Sequence, residues 1–286
     1  MHEILIPLDG TKAAETALPW AAYAARRSSA TLHLLSVIPL ESSGKGAIAA
    51  REEYLVDHRE SLEAQGARVS IELVQGEPAQ RIITRARRAD LTVMTSGTVR
   101  WIVSAVLDSA LKDIEGPIVV VRTTPGEISV PPEPRKILVP LDSTAYSSDV
   151  VPVVTDLATS LRASVVLCHI IHTDAKEAAP DVAGMSAGVD DGTEFIARAV
   201  EYVAAAGVHV ESITSTGEPA RQIVRLAESC GAGLIAMATR GRDNLNLYAM
   251  GSVANQVLES TKTPCLLLRH DVSVRPPAED ASRISV

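Results

Sequence analysis

The strongest constraint on the fold of this chain is that it repeats itself. The hexapeptide ILIPLD at residues 4–9 returns as ILVPLD at residues 137–142. Two later segments return in the same order: GEPA at 76–79 and again at 217–220, and PIVVVR at 117–122, which becomes PCLLLR at 264–269. Such self-similarity indicates two copies of one folding unit. A chain of 286 residues is also long enough for two ordinary domains.

The repeat predicts a domain at residues 1–122, the first half, and another at residues 136–270, the second half. Residues 123–135 lie between them and contain Pro125, Pro131, Pro132 and Pro134. We predict an extended and rather stiff linker there, since proline-rich segments favour the polyproline conformation. Residues 271–286 have no apolar period, and we predict a flexible tail.

Each half alternates short β-branched or Leu-rich runs with longer Ala-rich segments of helical period. This alternation predicts an α/β fold in which each half is an open, five-stranded parallel sheet with helices on both faces. We place the strands near residues 3–8, 31–38, 68–74, 90–95, 117–122, 136–141, 164–171, 208–214, 232–238 and 264–269. The repeated Gly-Glu-Pro is expected to open the third helix of each half. Pro19 and Pro152 are expected to kink the first helix of each half.

The acidic composition limits the choice of partner. The formal net charge is -8 with a pI near 5.4, which opposes binding to a nucleic-acid backbone or an anionic membrane. The three cysteines form no CxxC pair, so neither a disulfide framework nor a zinc site is indicated. Because there is no signal-peptide pattern at the start and no apolar run of membrane-spanning length, we predict a cytoplasmic protein.

One segment of the second half has the composition of a ligand-binding loop. It runs from Ala238 to Ser252 and links the fourth predicted strand to the last helix. Open α/β sheets bind ligands in such a crevice, outside the carboxyl ends of the strands. We expect backbone to approach a ligand closely at Gly241 and Gly251. Ser252 is a candidate N-cap of the helix, whose first amides would face an anion, and Arg240 and Arg242 could add positive charge.

This segment resembles the ATP-binding signature of the universal stress protein family, which is Gly, two residues, Gly, nine residues, Gly, then Ser or Thr. Gly241, nine residues and Gly251-Ser252 match it, whereas Ala238 stands in place of the first Gly. Both halves resemble the family over nearly their whole length. The resemblance implies a Rossmann-like fold of the adenine nucleotide alpha hydrolase type. It also implies ATP as the ligand, with or without Mg²⁺, and weaker binding because of Ala238.

The resemblance also implies which residues hold the adenosine end of the nucleotide. They are Pro140, Asp142 and Ile170, with Met237 and Val253 near the same ligand. The Asp142 carboxylate can accept a hydrogen bond from an adenine amino group or from a ribose hydroxyl, and both options stay open. Ile170 would supply an apolar wall.

The first half keeps the adenosine end but not the phosphate loop. Pro7, Asp9 and Val37 match Pro140, Asp142 and Ile170, yet the segment that follows Met94 is shorter than its counterpart after Met237. Alignment from the end of the half brings Asp108 near the expected phosphate, which a carboxylate would repel. We therefore predict one nucleotide per chain. For Asp9 we favour the simpler role of capping the helix that follows.

Other functions remain open. We weigh a nucleotide-dependent regulator of an unknown protein partner against an interaction scaffold that binds no nucleotide. The chain has no GxSxG, HExxH or Walker motif, so we expect no catalytic residue and at most slow ATP hydrolysis or autophosphorylation. We expect no metal site, because His169 and His172 lack a third ligand. Residues 172–192 could cover the pocket, although their composition favours disorder.

The resemblance finally implies how the halves meet. The last strand of the first half, residues 118–121, would pair with residues 265–268 across a pseudo-two-fold axis. The chain would then act as its own dimer, and a homodimer of chains remains open.

Overall fold

The computed structural model describes residues 1–42, 44–96, 105–123, 131–142, 148–171, 192–239 and 251–269. The strands of the first half are β1 (Glu3–Pro7), β2 (Thr31–Ile38), β3 (Arg68–Gln75), β4 (Leu91–Thr95) and β5 (Ile118–Val121). Those of the second half are β6 (Lys136–Leu141), β7 (Ser164–Ile171), β8 (Val210–Thr216), β9 (Leu234–Thr239) and β10 (Cys265–Arg269).

The first half has helices α1 (Lys12–Glu15), α2 (Leu18–Ser28), α3 (Lys45–Ala64), α4 (Pro78–Ala86) and α5 (Ala105–Asp113). The second half has α6 (Val150–Leu161), α7 (Gly192–Ala205), α8 (Pro219–Cys230) and α9 (Ser252–Ser260). A short 3₁₀ turn covers Leu40–Ser42. No helix in the described ranges is both long enough and apolar enough to cross a membrane.

All ten strands form one sheet, in the order β3-β2-β1-β4-β5-β10-β9-β6-β7-β8. Pairing is parallel within each half, and it is antiparallel between β5 and β10, where Val119 lies opposite Leu266. From one edge the order is β3-β2-β1-β4-β5, and from the other edge it is the equivalent β8-β7-β6-β9-β10. The two halves are therefore related by a pseudo-two-fold axis. The predicted α/β class, the five parallel strands per half and the pairing of the two last strands are confirmed.

The core consists of two apolar layers, one on each face of the sheet. The first layer contains buried residues of α2, α3, α6 and α7, and the second contains those of α4, α5, α8 and α9. Ala, Val, Leu and Ile supply most of both layers. Helices α2 and α6, one from each half, lie on the same face and touch each other.

Two helix starts follow the repeated Gly-Glu-Pro as predicted. Glu77 and Glu218 are the N-caps of α4 and α8, and each carboxylate accepts hydrogen bonds from the amides two and three residues on. The proline that follows is the first helical residue in both cases, where its missing N–H costs nothing.

The kinks predicted at Pro19 and Pro152 are wrong. Pro19 is the second residue of α2, and Pro152 is the third residue of α6. In the first turn of a helix the amides have no intrahelical acceptor, so a proline there removes no bond. In the first half the chain forms the separate short helix α1 before α2 begins. In the first half, proline thus marks an interruption of the helical segment, but the interruption lies before Pro19 and not at it.

Candidate functional site

The candidate site of the second half lies at the carboxyl end of β6, where the strand order reverses. β6 lies between β7 and β9, and its pairing with β9 covers only Ile137 and Leu138. Pro140 follows, and it has no N–H to donate to a neighbouring strand. The two strands therefore part beyond Leu138, and the sheet has a crevice at this edge, as open α/β sheets do at a reversal of strand order.

Three of the predicted site residues lie on the same face of the sheet. Ile170 of β7, Met237 of β9 and Val253 of α9 all pack in the second apolar layer. Met237 is buried, and the other two are half-buried, so apolar surface remains accessible beside the crevice. These residues are far apart in sequence, and parallel pairing brings their elements together.

Ala238 does not belong to this apolar wall. Its side chain packs against the first layer, on the opposite face of the sheet from Met237. It lies within β9, and the non-glycine residues with positive φ in the described part of the chain are Ser29 and Arg162. Ala238 is therefore not strained, and only its backbone could reach a ligand.

Asp142 is exposed directly after β6, and a histidine stabilises the strand end beside it. The Nδ1 of His169 donates to the carbonyl oxygen of Leu141, at 2.9 Å. In the first half the matching residue, Ser36, donates through Oγ to the carbonyl oxygen of Leu8, at 2.6 Å. Both halves thus use a cross-strand hydrogen bond just before the aspartate. This role of His169 was missed, and the signal for it was that a donor occupies the same place in both repeats.

The start of α9 differs from the prediction by one residue. The N-cap is Gly251, with φ of 81°, and Ser252 is the first helical residue. Such a φ strongly favours glycine, so the motif uses Gly251 for a turn that other residues rarely adopt. No side chain caps this helix start in the part of the chain that the structure describes. The first amides of a helix have no intrahelical acceptor, so they suit an anion.

Three of the predicted site residues, Arg240, Gly241 and Arg242, lie outside the described residues. So do His172 and most of the segment that could cover the pocket. Pro140, half-buried at the end of β6, completes the set that the structure describes.

The crevice of the first half is occupied by one of its own side chains. Arg51 of α3 donates to Ser36 Oγ at 3.3 Å. Its guanidinium also lies so close to Gly10 that a Cβ added there would come within 2.9 Å of it. Gly10 follows Asp9 at the end of β1 and has φ of 81°. The arginine thus covers the strand end that corresponds to Asp142 and its neighbours.

Asp9 itself serves the turn that follows. Its Oδ1 accepts from the amide of Thr11 at 2.9 Å and from Thr11 Oγ1 at 2.6 Å. Thr11, in turn, is the N-cap of α1. The expected capping role therefore belongs to Thr11, and Asp9 acts one step earlier by fixing Thr11.

A cluster of polar residues surrounds Arg51 in the first half. The Arg51 guanidinium lies 5.7 Å from the centre of the Tyr54 ring, and that ring meets His58 edge-on at 4.6 Å. Glu15 is 2.8 Å from Lys12 and 3.6 Å from His58. Burial and the nearby Glu15 carboxylate raise the pKa of Tyr54, so its hydroxyl stays protonated at neutral pH.

Nucleophilic or metal chemistry has little support in the described residues. Burial raises the pKa of Cys168 and of Cys265 to about 12, so both thiols are protonated and inert at neutral pH. Within the described ranges, no three His, Cys, Asp or Glu side chains are grouped so that they could hold a metal ion.

The chain resembles known proteins over nearly its full length. Universal stress protein Rv2623 of Mycobacterium tuberculosis is 24% identical over 301 residues, which cover 94% of this chain and 97% of that protein. Universal stress protein YxiE of Bacillus subtilis is 26% identical over 47% of this chain and 99% of its own length. A crystal structure of a universal stress protein from Archaeoglobus fulgidus superimposes with a TM-score of 0.75 at 18% identity, covering 94% of this chain and 98% of that one.

The model of the universal stress protein family matches twice, at residues 1–122 and at residues 133–269. These two ranges include all ten strands. The chain therefore belongs to the universal stress protein family.

Proposed function

We propose that the second half binds one adenine nucleotide, ATP with or without Mg²⁺, in the crevice at the carboxyl end of β6. The observation that carries the proposal is that the second half has three chemically different parts that suit three parts of a nucleotide. An exposed carboxylate, an accessible apolar wall and an uncapped helix start come from separate elements of the second half. Ligand sites with these parts are typical of the reversal point in open α/β sheets.

The nucleoside end would lie between Asp142 and the apolar wall. Asp142 would accept a hydrogen bond from the ribose or from the adenine amino group, and Ile170, Met237 and Val253 would contact the base. The hydrogen bond from His169 to Leu141 supports this arrangement, because it holds the ends of β6 and β7 together next to Asp142.

The phosphates would lie at the start of α9. No described side chain caps the first amides of this helix, and an anion at that end is stabilised by the helix dipole. Arg240, Gly241, Arg242 and Ser252 would complete the phosphate contacts, in keeping with the signature that the sequence carries. Mg²⁺, when present, would neutralise phosphate charge.

One nucleotide per chain is part of the proposal. In the first half Arg51 lies over Gly10 and Ser36, where the nucleoside would have to enter. Asp108, in the first turn of α5, pairs with Lys112 at 2.5 Å and places a carboxylate where the second half has an uncapped helix start. In the first half, Arg51 would therefore block the nucleoside end of the nucleotide, and Asp108 would repel its phosphate end.

The proposed role is regulation in the cytoplasm through a protein partner. Nucleotide would bias the conformation of the loops around the second crevice and so change what the partner contacts. No catalytic step is assigned to the chain.

The test is isothermal titration of ATP into the intact chain, with Asp142→Ala and Asp9→Ala as a matched pair. We expect a stoichiometry of one. Asp142→Ala should weaken binding about tenfold, since a hydrogen bond to a charged group contributes about 1.5 kcal/mol or more. Asp9→Ala, the same change in the other repeat, should leave the affinity and the stoichiometry unchanged.

Two results would contradict the proposal. Two equivalent sites per chain would overturn the assignment to one half. No heat and no thermal stabilisation with millimolar adenine nucleotides would show that the crevice does not bind them.

A further inference from the structure

The starts of β4 and β9 are held by matching backbone hydrogen bonds in the two halves. The amide of Gly233 donates to the carbonyl of Lys136 at 2.9 Å, and in the other half the amide of Asp90 donates to Glu3 at 3.1 Å. The repeat pairs Gly233 with Asp90. Two places in the molecule therefore share one backbone framework, and they differ in the side chains that fill them.

In one copy an indole ring fills the space between the halves. Trp20 of α2 is 1% exposed, and its Nε1 lies 3.4 Å from the carbonyl oxygen of Gly233, to which it donates. The linker backbone closes this copy as well, because the carbonyl of Glu133 packs directly on Gly233. The ring spans from the first half to the second and leaves no room for a ligand.

In the other copy the residue that corresponds to Trp20 is Val153 of α6. A pocket of about 250 Å³ is present there, bounded by Val153 and Leu157 on one side and by Leu91 and Pro117 on the other. A cavity of about 150 Å³ accepts benzene, so this pocket has room for a larger ring system. Its volume lies where the other copy has the indole.

The pocket is apolar inside and acidic at its margin. Met1 and Leu266 add to the apolar surface, and Asp90, Asp156 and Ser160 add polar groups. Asp90 already accepts hydrogen bonds from the amides of His2 and Glu3, at 2.6 and 2.9 Å. Although burial raises the pKa of Asp90, these bonds and the nearby amino group of Met1 lower it overall, so the carboxylate is ionised and has partners.

Asp156 is the carboxylate that remains for a ligand. It is exposed on α6, and in the part of the chain that the structure describes it forms no hydrogen bond or ion pair. A cation bound beside it would meet one uncompensated negative charge at the mouth of an apolar pocket. An anion would be repelled by Asp156, whereas the charge of Asp90 is already offset by the amino group of Met1.

We propose that this pocket between the halves binds a small aromatic amine, with a flat ring in the place that Trp20 occupies in the other copy and an ammonium group beside Asp156. The site is separate from the proposed nucleotide crevice. Leu157 belongs to the first apolar layer, whereas the wall of the crevice belongs to the second, on the opposite face of the sheet.

The test uses tryptamine as the probe, titrated into the full chain by isothermal calorimetry. Two related compounds separate the two features of the site: indole-3-propionate keeps the ring and reverses the charge, and butylamine keeps the ammonium and lacks the ring. We expect tryptamine to bind with a stoichiometry of one. Each of the other two compounds should bind at least about tenfold more weakly.

Two variants locate the site. Val153→Trp copies the first half and should abolish tryptamine binding by filling the pocket. Asp156→Asn should weaken tryptamine binding about threefold to fivefold and leave the affinity for uncharged indole unchanged, since one exposed charge pair contributes up to about 1 kcal/mol. Circular dichroism and thermal melting establish whether each variant is folded. If Val153→Trp does not fold, the effect of Asp156→Asn on tryptamine affinity decides whether the proposal holds.

The proposal is overturned if millimolar tryptamine does not bind the wild-type chain. It is equally overturned if tryptamine binds folded Val153→Trp with wild-type affinity, or if Asp156→Asn has no effect. Because the probe carries no phosphate and the variants lie outside the crevice, none of these results depends on whether ATP binds.

Discussion

The two halves share one fold, and they differ in what fills equivalent positions on the sheet. In the first half a polar network joins β1, β2, β3 and α4. His33 Nε2 donates to Glu72 Oε2 at 2.8 Å, and its Nδ1 is hydrogen bonded to Ser70 at 2.8 Å. Arg85 contacts Glu72 at 3.2 Å and binds both oxygens of Glu3, at 2.6 and 2.7 Å.

In the second half the matching positions are largely apolar. Val166 stands for His33, Ile213 for Glu72 and Leu226 for Arg85, and all three belong to the second apolar layer. Lys136 stands for Glu3. The comparison shows that this part of the fold accepts either a paired ionic network or hydrocarbon. At these positions the polar side chains of the first half are paired with one another, so either choice leaves no isolated charge there.

The crevices differ in a related way. Arg51, Tyr54 and His58 of the first half correspond to Gly192, Phe195 and Ala199 of the second. Glycine has no side chain to place over a strand end, so the position that matches Arg51 cannot cover the crevice of the second half. The half that keeps the nucleotide motif thus has a glycine at the position of the covering arginine.

The largest expected effect comes from exchanging the residues that fill the contact between the halves. Trp20→Val should lower the free energy of unfolding by about 3 kcal/mol, because removing a large buried side chain leaves a cavity and an unpaired carbonyl at Gly233. Urea denaturation of the intact chain measures the loss. The reciprocal Val153→Trp is the control and should cost much less, since its ring would enter an existing pocket. Equal losses from both would mean that the two places are not equivalent.

A smaller effect is expected from breaking the polar network. Arg85→Leu alone should destabilise the chain by about 1–2 kcal/mol, because Glu3 and Glu72 would lose their cation while both are only partly exposed. The change should also raise the pKa of Glu72. Urea denaturation and a carboxyl NMR titration measure the two effects.

The matched control for this prediction rebuilds the second-half version of the site. Glu3→Lys, His33→Val, Glu72→Ile and Arg85→Leu together should recover most of the lost stability. If the quadruple variant is less stable than Arg85→Leu alone, the halves are not interchangeable at these positions.

The smallest expected effect concerns acid sensitivity. The pKa of Asp90 is lowered in the folded chain, so its contribution to stability is present above the ordinary carboxyl pKa of about 3.9 and is lost as the pH falls through the lower folded value. Asp90→Asn should therefore reduce the difference in stability between pH 7 and pH 3, measured by urea denaturation. Gly233, the matching residue, has no side chain, so Gly233 makes no such contribution. An unchanged pH dependence in Asp90→Asn would contradict this assignment.

The sequence predicted the architecture well because the repeat supplies two readings of every element. Each predicted strand has a counterpart in the other half, and the Glu-Pro helix starts depend on local capping that the sequence shows directly. The predictions that were wrong concern the residues at which two helices begin. Pro19 and Ser252 were placed by pattern, but where a helix begins depends on the turn before it, including the positive φ of Gly251.

The side-chain pairings across the sheet could not be predicted from sequence alone. His33 meets Ser70 and Glu72 only because β2 pairs with β3 in one register, and Arg51 reaches Gly10 only because α3 packs over β1 and β2. Register and helix placement are tertiary properties. Comparing the repeats residue by residue would still have given a signal, because each of these residues is polar in one half and small or apolar in the other.

The antiparallel joint between β5 and β10 has a geometric consequence. Because every strand of one half runs opposite to every strand of the other, the carboxyl ends of the two halves emerge at opposite rims of the common sheet. A partner that binds at the crevice of the second half must approach from one rim and would not contact Arg51 and its neighbours at the other rim. A dimer of two identical chains joined in this way would present the same surface at both rims. In this fused chain the two rims carry different residues, so a partner can distinguish them.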